Sequence, residues 1–178
     1  HHLWIRRQRQ MCIRDRADYV GKISIEQQSK NHDPTEQIDQ STALLGSHFI
    51  IGGQIKGQEP NLVLVYPEGN FIYVADETPF IQIGETKYGK PILDRMIVPN
   101  TPLGDSARAA LLSFDSTMKS DLTVGPPIDF VVFKKDQINL NFQDQLKLDS
   151  PFFKELSSIW AEQLDSAIHA LPKFNWEE

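Results

Sequence analysis

The sequence predicts an α+β fold, with helices packed on a largely antiparallel sheet, and three observations lead there. Four short runs rich in β-branched and aromatic residues follow one another closely: "SHFIIGGQIKG", "NLVLVYPEGN", "FIYVAD" and "FIQIGE". Two helical stretches come next, each with a proline near its start. A second apolar hairpin and a long amphipathic helix then close the chain. Strands and helices are thus grouped rather than strictly alternating, which is the pattern of segregated layers.

Each element has its own signal. "ADYVGKISIEQQSKNHD" places Tyr19, Val20, Ile23 and Ile25 ahead of a polar stretch and suits the end of a helix. His32, Asp33 and Pro34 turn the chain in a loop. In the meander, Gly52 and Gly53 suit close strand packing, where a side chain would crowd a neighbour. Pro67-Glu68-Gly69-Asn70 sets proline early and glycine late, as a tight turn requires. "TKYGKPILDRMI" predicts a short helix with Pro91 in its first turn. "TPLGDSARAALLSFDSTMKSD" predicts a longer one, capped by Thr101 with Pro102 at its first position. Its apolar face would be Leu103, Ala107, Ala110, Leu111, Phe114 and Met118. "IDFVVFKKD" and "INLNFQ" form a second hairpin with Lys134-Lys135-Asp136 at the tip. Ser150-Pro151 opens the last helix, which presents Phe152, Leu156, Ile159, Leu164, Ala167, Ile168 and Leu171 on one face and ends before Pro172.

The first residues do not match this body. "IRRQRQMCIRDR", residues 5–16, holds five of the seven arginines and Cys12, the single cysteine. A secretory signal needs an apolar core that is missing here, and an organellar transit peptide is rich in serine, of which this stretch has none. A nucleic-acid arm would sit on an acidic body: residues 17–178 hold 13 basic and 23 acidic side chains, net −10. The run R-R-Q-R-Q-M-C-I-R-D-R resembles one reading frame of a transposase-based library adapter. Residues 1–16 are therefore expected to be a non-native artefact, and residues 17–178 the native part. The chain is long enough to build a substantial core, and no apolar run approaches the length of a membrane span. An acidic, cysteine-free body excludes disulfide scaffolds and thiol catalysis and suits a cytosolic protein that binds neither nucleic acid nor membrane.

Motifs of self-contained chemistry are few. Gly84 to Lys90 matches most of a phosphate-binding loop, but Pro91 stands where a Mg²⁺-holding hydroxyl is required, and the segment follows a meander rather than opening a βαβ unit. His32, His48 and His169 share no metal-binding spacing, so no metal is expected; His169 suits the C-terminal end of a helix dipole. No G-x-S-x-G elbow is present. Asp121 and Thr123, ahead of Gly125-Pro126-Pro127, could support a site, although taken alone they form an ordinary loop.

Four stretches together resemble one family: "FIIGGQIKGQEPNLVLVYPEGNFI", "TPFIQIGETKYGKPILDR", "ARAALLSFDSTMKSDLTVGPPIDFVVFKKD" and "IHALPKFNW". They are similar to Anbu, the ancestral beta subunit group of bacterial proteasome-type peptidases. The likeness runs from about His48 to Trp176, while residues 17–47 match only loosely. The resemblance implies a truncated N-terminal nucleophile fold, an αββα sandwich like that of a proteasome β-subunit. In such enzymes an N-terminal threonine attacks the peptide carbonyl, its own amino group acts as base, and lysine and aspartate tune the site. Those groups lie upstream of the matching region, so no catalytic residue carries over and the chain as given is expected to be inactive. What carries over is a supporting wall: Gly84, Glu85 and Thr86 beneath the threonine, and Asp121, Thr123 and Gly125 in a second loop. The resemblance further implies a peptide or protein substrate, no cofactor, a cytoplasmic bacterial setting and a homo-oligomer packed through helices and strand edges. The alternative is a non-catalytic subunit that serves as ring or spiral scaffold.

Overall fold

The computed structural model describes residues 13–30, 46–137, 139 and 142–177. These divide into two compact units, residues 1–84 with 134–138, and residues 85–133 with 139–178. His32 and the loop around it lie outside the described residues.

Among the described residues, the first unit is one helix on a three-stranded antiparallel sheet. Helix α1 (Ile13–Lys30) precedes strands β1 (Phe49–Gly53), β2 (Asn61–Val65) and β3 (Phe71–Tyr73), ordered β1-β2-β3. Phe49 pairs with Val65 and Gly53 with Asn61; Val63 pairs with Tyr73 and Val65 with Phe71. Alternation along the strands aims Val63 and Val65 at α1, where they meet Ile13 and Ala17 with Ile51 and Phe71 alongside. The opposite face is apolar too: Ile50, Leu64 and Ile72 are consecutive partners across it, and Ile50 and Ile72 are exposed. The helix begins at Ile13, four residues ahead of Ala17, so it takes in the last part of the stretch expected to be non-native.

The turn between β2 and β3 follows its sequence. The Gly69 N–H donates to the Tyr66 carbonyl, the Tyr66 N–H donates to the Asn70 carbonyl, and Gly69 has φ +82°, which suits glycine. Helix α1 lies on this turn. A Cβ on Gly21 would come 2.3 Å from the Gly69 carbonyl oxygen, so only hydrogen fits there. The Gln28 amide donates to the Pro67 carbonyl at 2.9 Å and closes the same contact.

The expected fourth strand is absent from the described residues. After the Ala75–Thr78 bridge, Phe80–Glu85 runs without a ladder, and the Gln82 side-chain oxygen is buried with no partner among the described residues. Its alternation fits a strand, but a strand also needs a neighbouring edge, and β3 ends after three residues. Residues 134–138 complete this unit: Lys135 pairs with Glu59 at 2.7 Å, and Gln54 and Asp136 exchange two hydrogen bonds.

The second unit has three helices and a two-stranded sheet among its described residues. Helix α2 (Lys90–Met96) precedes α3 (Leu103–Ser120), then strands β4 (Ile128–Val132) and β5 (Phe142–Leu146), then α4 (Pro151–Ala170). Prolines start α2 and α4 where the sequence places them, with Ser150 preceding α4. Thr101 does not cap α3. Its hydroxyl accepts from the Val98 N–H and donates to the Met96 carbonyl, which leaves Pro102 at the cap position. The β4–β5 pair is antiparallel, with Ile128 opposite Leu146. Strand β5 lies further along than the expected "INLNFQ", part of which falls outside the described residues.

The core of this unit is Leu111, Ile128, Leu146 and Phe153, with Met118, Phe130 and Leu156 around it. Leu111 and Met118 of α3 and Leu156 of α4 reach this core as their apolar spacing suggests, but the rest of each expected face is only partly covered. Leu103 and Phe114 of α3 are exposed while Ser113, Asp115 and Thr117 are buried. Phe153 is the buried residue of α4, whereas Phe152, Ile159, Leu164 and Ile168 face water. Helices this rich in apolar residues offer more than one apolar face, and periodicity does not say which one the sheet will cover.

Candidate functional site

Gly84 ends the first unit in the left-handed region, φ +81°, with open space where a Cβ would lie. The remaining wall residues belong to the second unit. The Glu85 carboxylate accepts the Lys87 N–H at 2.9 Å, and the Thr86 carbonyl accepts the Lys90 N–H at 3.0 Å as the chain enters α2. The Lys90 ammonium of the loop-like motif is held by Asp94 at 2.6 Å, so it is not poised for a phosphate.

The second loop is built around Asp121. Its carboxylate accepts both the Thr123 hydroxyl at 2.7 Å and the Thr123 N–H at 2.8 Å. The Thr123 hydroxyl bond and then the Thr123 N–H hold this carboxyl below its usual range; desolvation opposes them, and the positive charge of Lys87 adds a still smaller lowering. Asp121 is thus an anion near neutrality. Gly125 follows, exposed, ahead of a cis Pro126–Pro127 bond.

A second polar cluster escaped the sequence reading. On α3 the Asp115 carboxylate, 7% exposed, accepts Lys119 Nζ at 2.7 Å and Ser157 Oγ at 2.6 Å, the latter reaching across from α4. Lys119 Nζ also donates to Ser157 Oγ at 3.3 Å. This is a serine beside a lysine, yet it is not a nucleophile and base. The serine proton points to the carboxylate, and the lysine that would have to accept it is itself an ammonium donor. The cluster satisfies a buried charge and pins α4 to α3. A burial-aware reading of the i, i+4 pair Asp115/Lys119 was the one available signal.

The histidines stand apart. His48 sets its ring edge-on to Tyr66, and His169 lies 3.7 Å from Asp165 on α4. Among the described residues no group of three or more metal-ligating side chains gathers, and no helix is long and apolar enough to cross a membrane.

The fold and these loops define a mixed helix-and-strand chain whose polar turns could line a site but hold no complete catalytic set among the described residues. No protein-family profile matches it, and no curated protein is significantly similar. Solved structures are. An Anbu Gly-1 mutant from Hyphomicrobium sp. strain MC1 shares 40% identity over 92% of the chain with a TM-score of 0.81. Anbu (ancestral beta-subunit) from Yersinia bercovieri shares 34% over 93% of the chain and 67% of its own length, TM-score 0.82. The helical assembly of the Anbu complex from Pseudomonas aeruginosa shares 36% over 91%, TM-score 0.81. The chain belongs to the Anbu family. It spans 66% of the length of the Hyphomicrobium and Pseudomonas proteins.

Proposed function

We propose that this chain is the C-terminal part of a proteasome-type threonine peptidase subunit with the N-terminal nucleophile αββα sandwich. The observation that carries the reading is the likeness to Anbu structures, 34–40% identical at TM-scores of 0.81–0.82. One feature supports the sandwich and the missing part. The β1–β3 sheet is apolar on both faces, yet among the described residues only one is covered by a helix of its unit, and a sheet of that kind is normally covered on both.

Residues 1–16 are then adapter-derived and residues 17–178 native. Ile13 continues the Ala17–Gly21 stripe of α1 because a helix extends through any upstream residues of fair propensity. The nucleophile, its lysine and its aspartate lie upstream of the matching region. The wall of Gly84, Glu85, Thr86, Asp121, Thr123 and Gly125 would pack beneath them, with anionic Asp121 oriented by Thr123 to favour an ammonium nearby. The substrate is a peptide or protein, the setting the bacterial cytoplasm, and the working form a homo-oligomer, in keeping with the helical assembly of the Pseudomonas protein.

A scaffold reading is favoured by one observation: Ser157–Lys119 is committed to Asp115 and offers no substitute catalyst. Recovering the genomic DNA upstream of Ala17 and assaying both forms on fluorogenic peptides separates the two. The chain as given should hydrolyse nothing. The restored subunit should turn over substrate and lose that activity when its N-terminal Thr, Ser or Cys is replaced. Inert restored protein with an intact nucleophile would give the scaffold reading the lead. A genome that encodes "IRRQRQMCIRDR" would overturn the truncation.

A further inference from the structure

Asp115 is a buried carboxylate outside the candidate wall, and it stands on the helix that carries part of that wall. It lies on α3 ahead of Asp121, about 9 Å away along the axis at 1.5 Å per residue. Hydrogen bonds tie the end of this helix to the wall. The Thr117 hydroxyl donates to the Ser113 carbonyl at 2.8 Å, and the Thr117 carbonyl accepts the Asp121 N–H at 2.8 Å. The Asp121 carboxylate then takes the Thr123 hydroxyl and N–H, and the Asp121 carbonyl takes the Val124 N–H at 3.3 Å. The Asp121–Val124 turn therefore moves with the last turn of α3.

The turn has little anchorage of its own. Residues 121–127 are half-buried or exposed, Leu122 fully so, and the next buried residue is Ile128 in β4. Among the described residues, a groove of about 560 Å³ opens between Val124–Pro126 of the turn and Ser157 and Ala161 of α4. The position of the turn is thus set by how α3 is held against α4. Leu111, Met118, Phe153 and Leu156 supply apolar contact, which is non-directional and tolerates small slips. The bond from Ser157 Oγ to Asp115 Oδ1, 2.6 Å, is directional and of fixed length. Lys119 Nζ closes on the same carboxylate at 2.7 Å and compensates its burial.

We propose that Ser157, acting through Asp115, is a positioning residue for the Asp121–Thr123 turn. It sets the rotation and axial register of α3, and with them the place where the Asp121 carboxylate stands in the proposed active site. This role presupposes the peptidase reading above and names what holds its wall in place. Catalytic groups need placing to within about 0.5 Å, and a misplacement of about 1 Å caused far from the chemistry costs about a hundredfold in rate.

Amide hydrogen exchange of the full chain, followed by NMR, compares Ser157→Ala and Ser157→Thr with the parent, and kcat and KM are measured for the same variants of the restored subunit. Ser157 lines the groove, so threonine keeps the hydroxyl and has room for its methyl group. Ser157→Ala should speed exchange at the Asp121 N–H by about tenfold, against less than about threefold at Leu111 earlier in the same helix. In the restored subunit it should lower kcat by about ten- to a hundredfold with KM within about twofold. Ser157→Thr should retain all three values within about threefold. Equal acceleration at Leu111 and Asp121, or none at either, would overturn the positioning role. An unchanged kcat in Ser157→Ala would overturn its catalytic consequence, and a threonine variant that behaves like alanine would overturn the hydroxyl as its agent. A restored parent that hydrolyses nothing would remove the peptidase reading, while exchange at Asp121 still decides whether Ser157 holds the turn.

Discussion

Replacing Gly21 with alanine should destabilise the first unit, and the structure fixes the size of the effect. An added Cβ would lie 2.3 Å from the Gly69 carbonyl oxygen and 3.0 Å from the Gly69 carbonyl carbon and Cα. Because the obstruction is backbone in a hydrogen-bonded turn, no side-chain rotation relieves it, and α1 must lift by about 1 Å to reach ordinary contact. Overpacking of this kind costs about 1–3 kcal/mol, plus the packing lost where Ile13 and Ala17 meet Val63 and Val65. Against this stands a gain of about 1 kcal/mol in helix propensity on leaving glycine. The net expectation is a loss of about 1–3 kcal/mol, or a Tm lower by about 2–10 °C for a chain of this length. Thermal unfolding followed by circular dichroism measures it, with Gly53→Ala as control, since a Cβ there meets nothing within 4 Å. A Gly21→Ala protein as stable as its parent would refute the backbone contact between α1 and the β2–β3 turn.

Other expectations follow from the second unit. Phe153→Ala should cost about 3–5 kcal/mol, because it empties the centre of a cluster that joins α4 to the β4–β5 sheet; chemical denaturation measures this. Lys119→Ala should destabilise more than Asp115→Ala in the same assay. The first leaves a buried carboxylate with only Ser157, whereas the second leaves an ammonium that is already half in water. The Asp121 carboxyl is held below its unfolded value, so its contribution is present above the ordinary carboxylate range and is lost as pH falls through the lowered folded value. Following the Asp121 carboxyl carbon by NMR should show a titration midpoint below that of a free aspartate. Thr123→Val should raise that midpoint.

The parts of the fold that could be read from the chain are those fixed by local chemistry. Pro91 and Pro151 mark helix starts because proline's missing N–H is harmless only in a first turn, and Gly69 marks a left-handed turn position that few other residues adopt. What could not be read depends on neighbours. Phe80–Glu85 alternates like a strand, but pairing requires an edge that its own sequence does not supply. Phe114 is exposed while its neighbour Asp115 is buried, because the core takes only Leu111 and Met118 from the expected face of α3, and a buried carboxylate is tolerated only with Lys119 and Ser157 in position. In the candidate wall, Asp121 and Thr123 were recognisable as a turn, while the influence of Lys87 on Asp121 depends on tertiary proximity.

Residues 134–137 reach the first unit late in the order in which the chain is made. The first unit breaks off at Gly84 and is completed only by the segment that carries Lys135 and Asp136, with partners at Glu59 and Gln54. At translation rates of about 5–20 residues per second, the intervening stretch keeps those partners waiting for several seconds. During that interval α1 and the β1–β3 sheet are present without their last tie, and α2, α3 and β4 emerge first. On the ribosome, then, neither unit is finished before the other has begun.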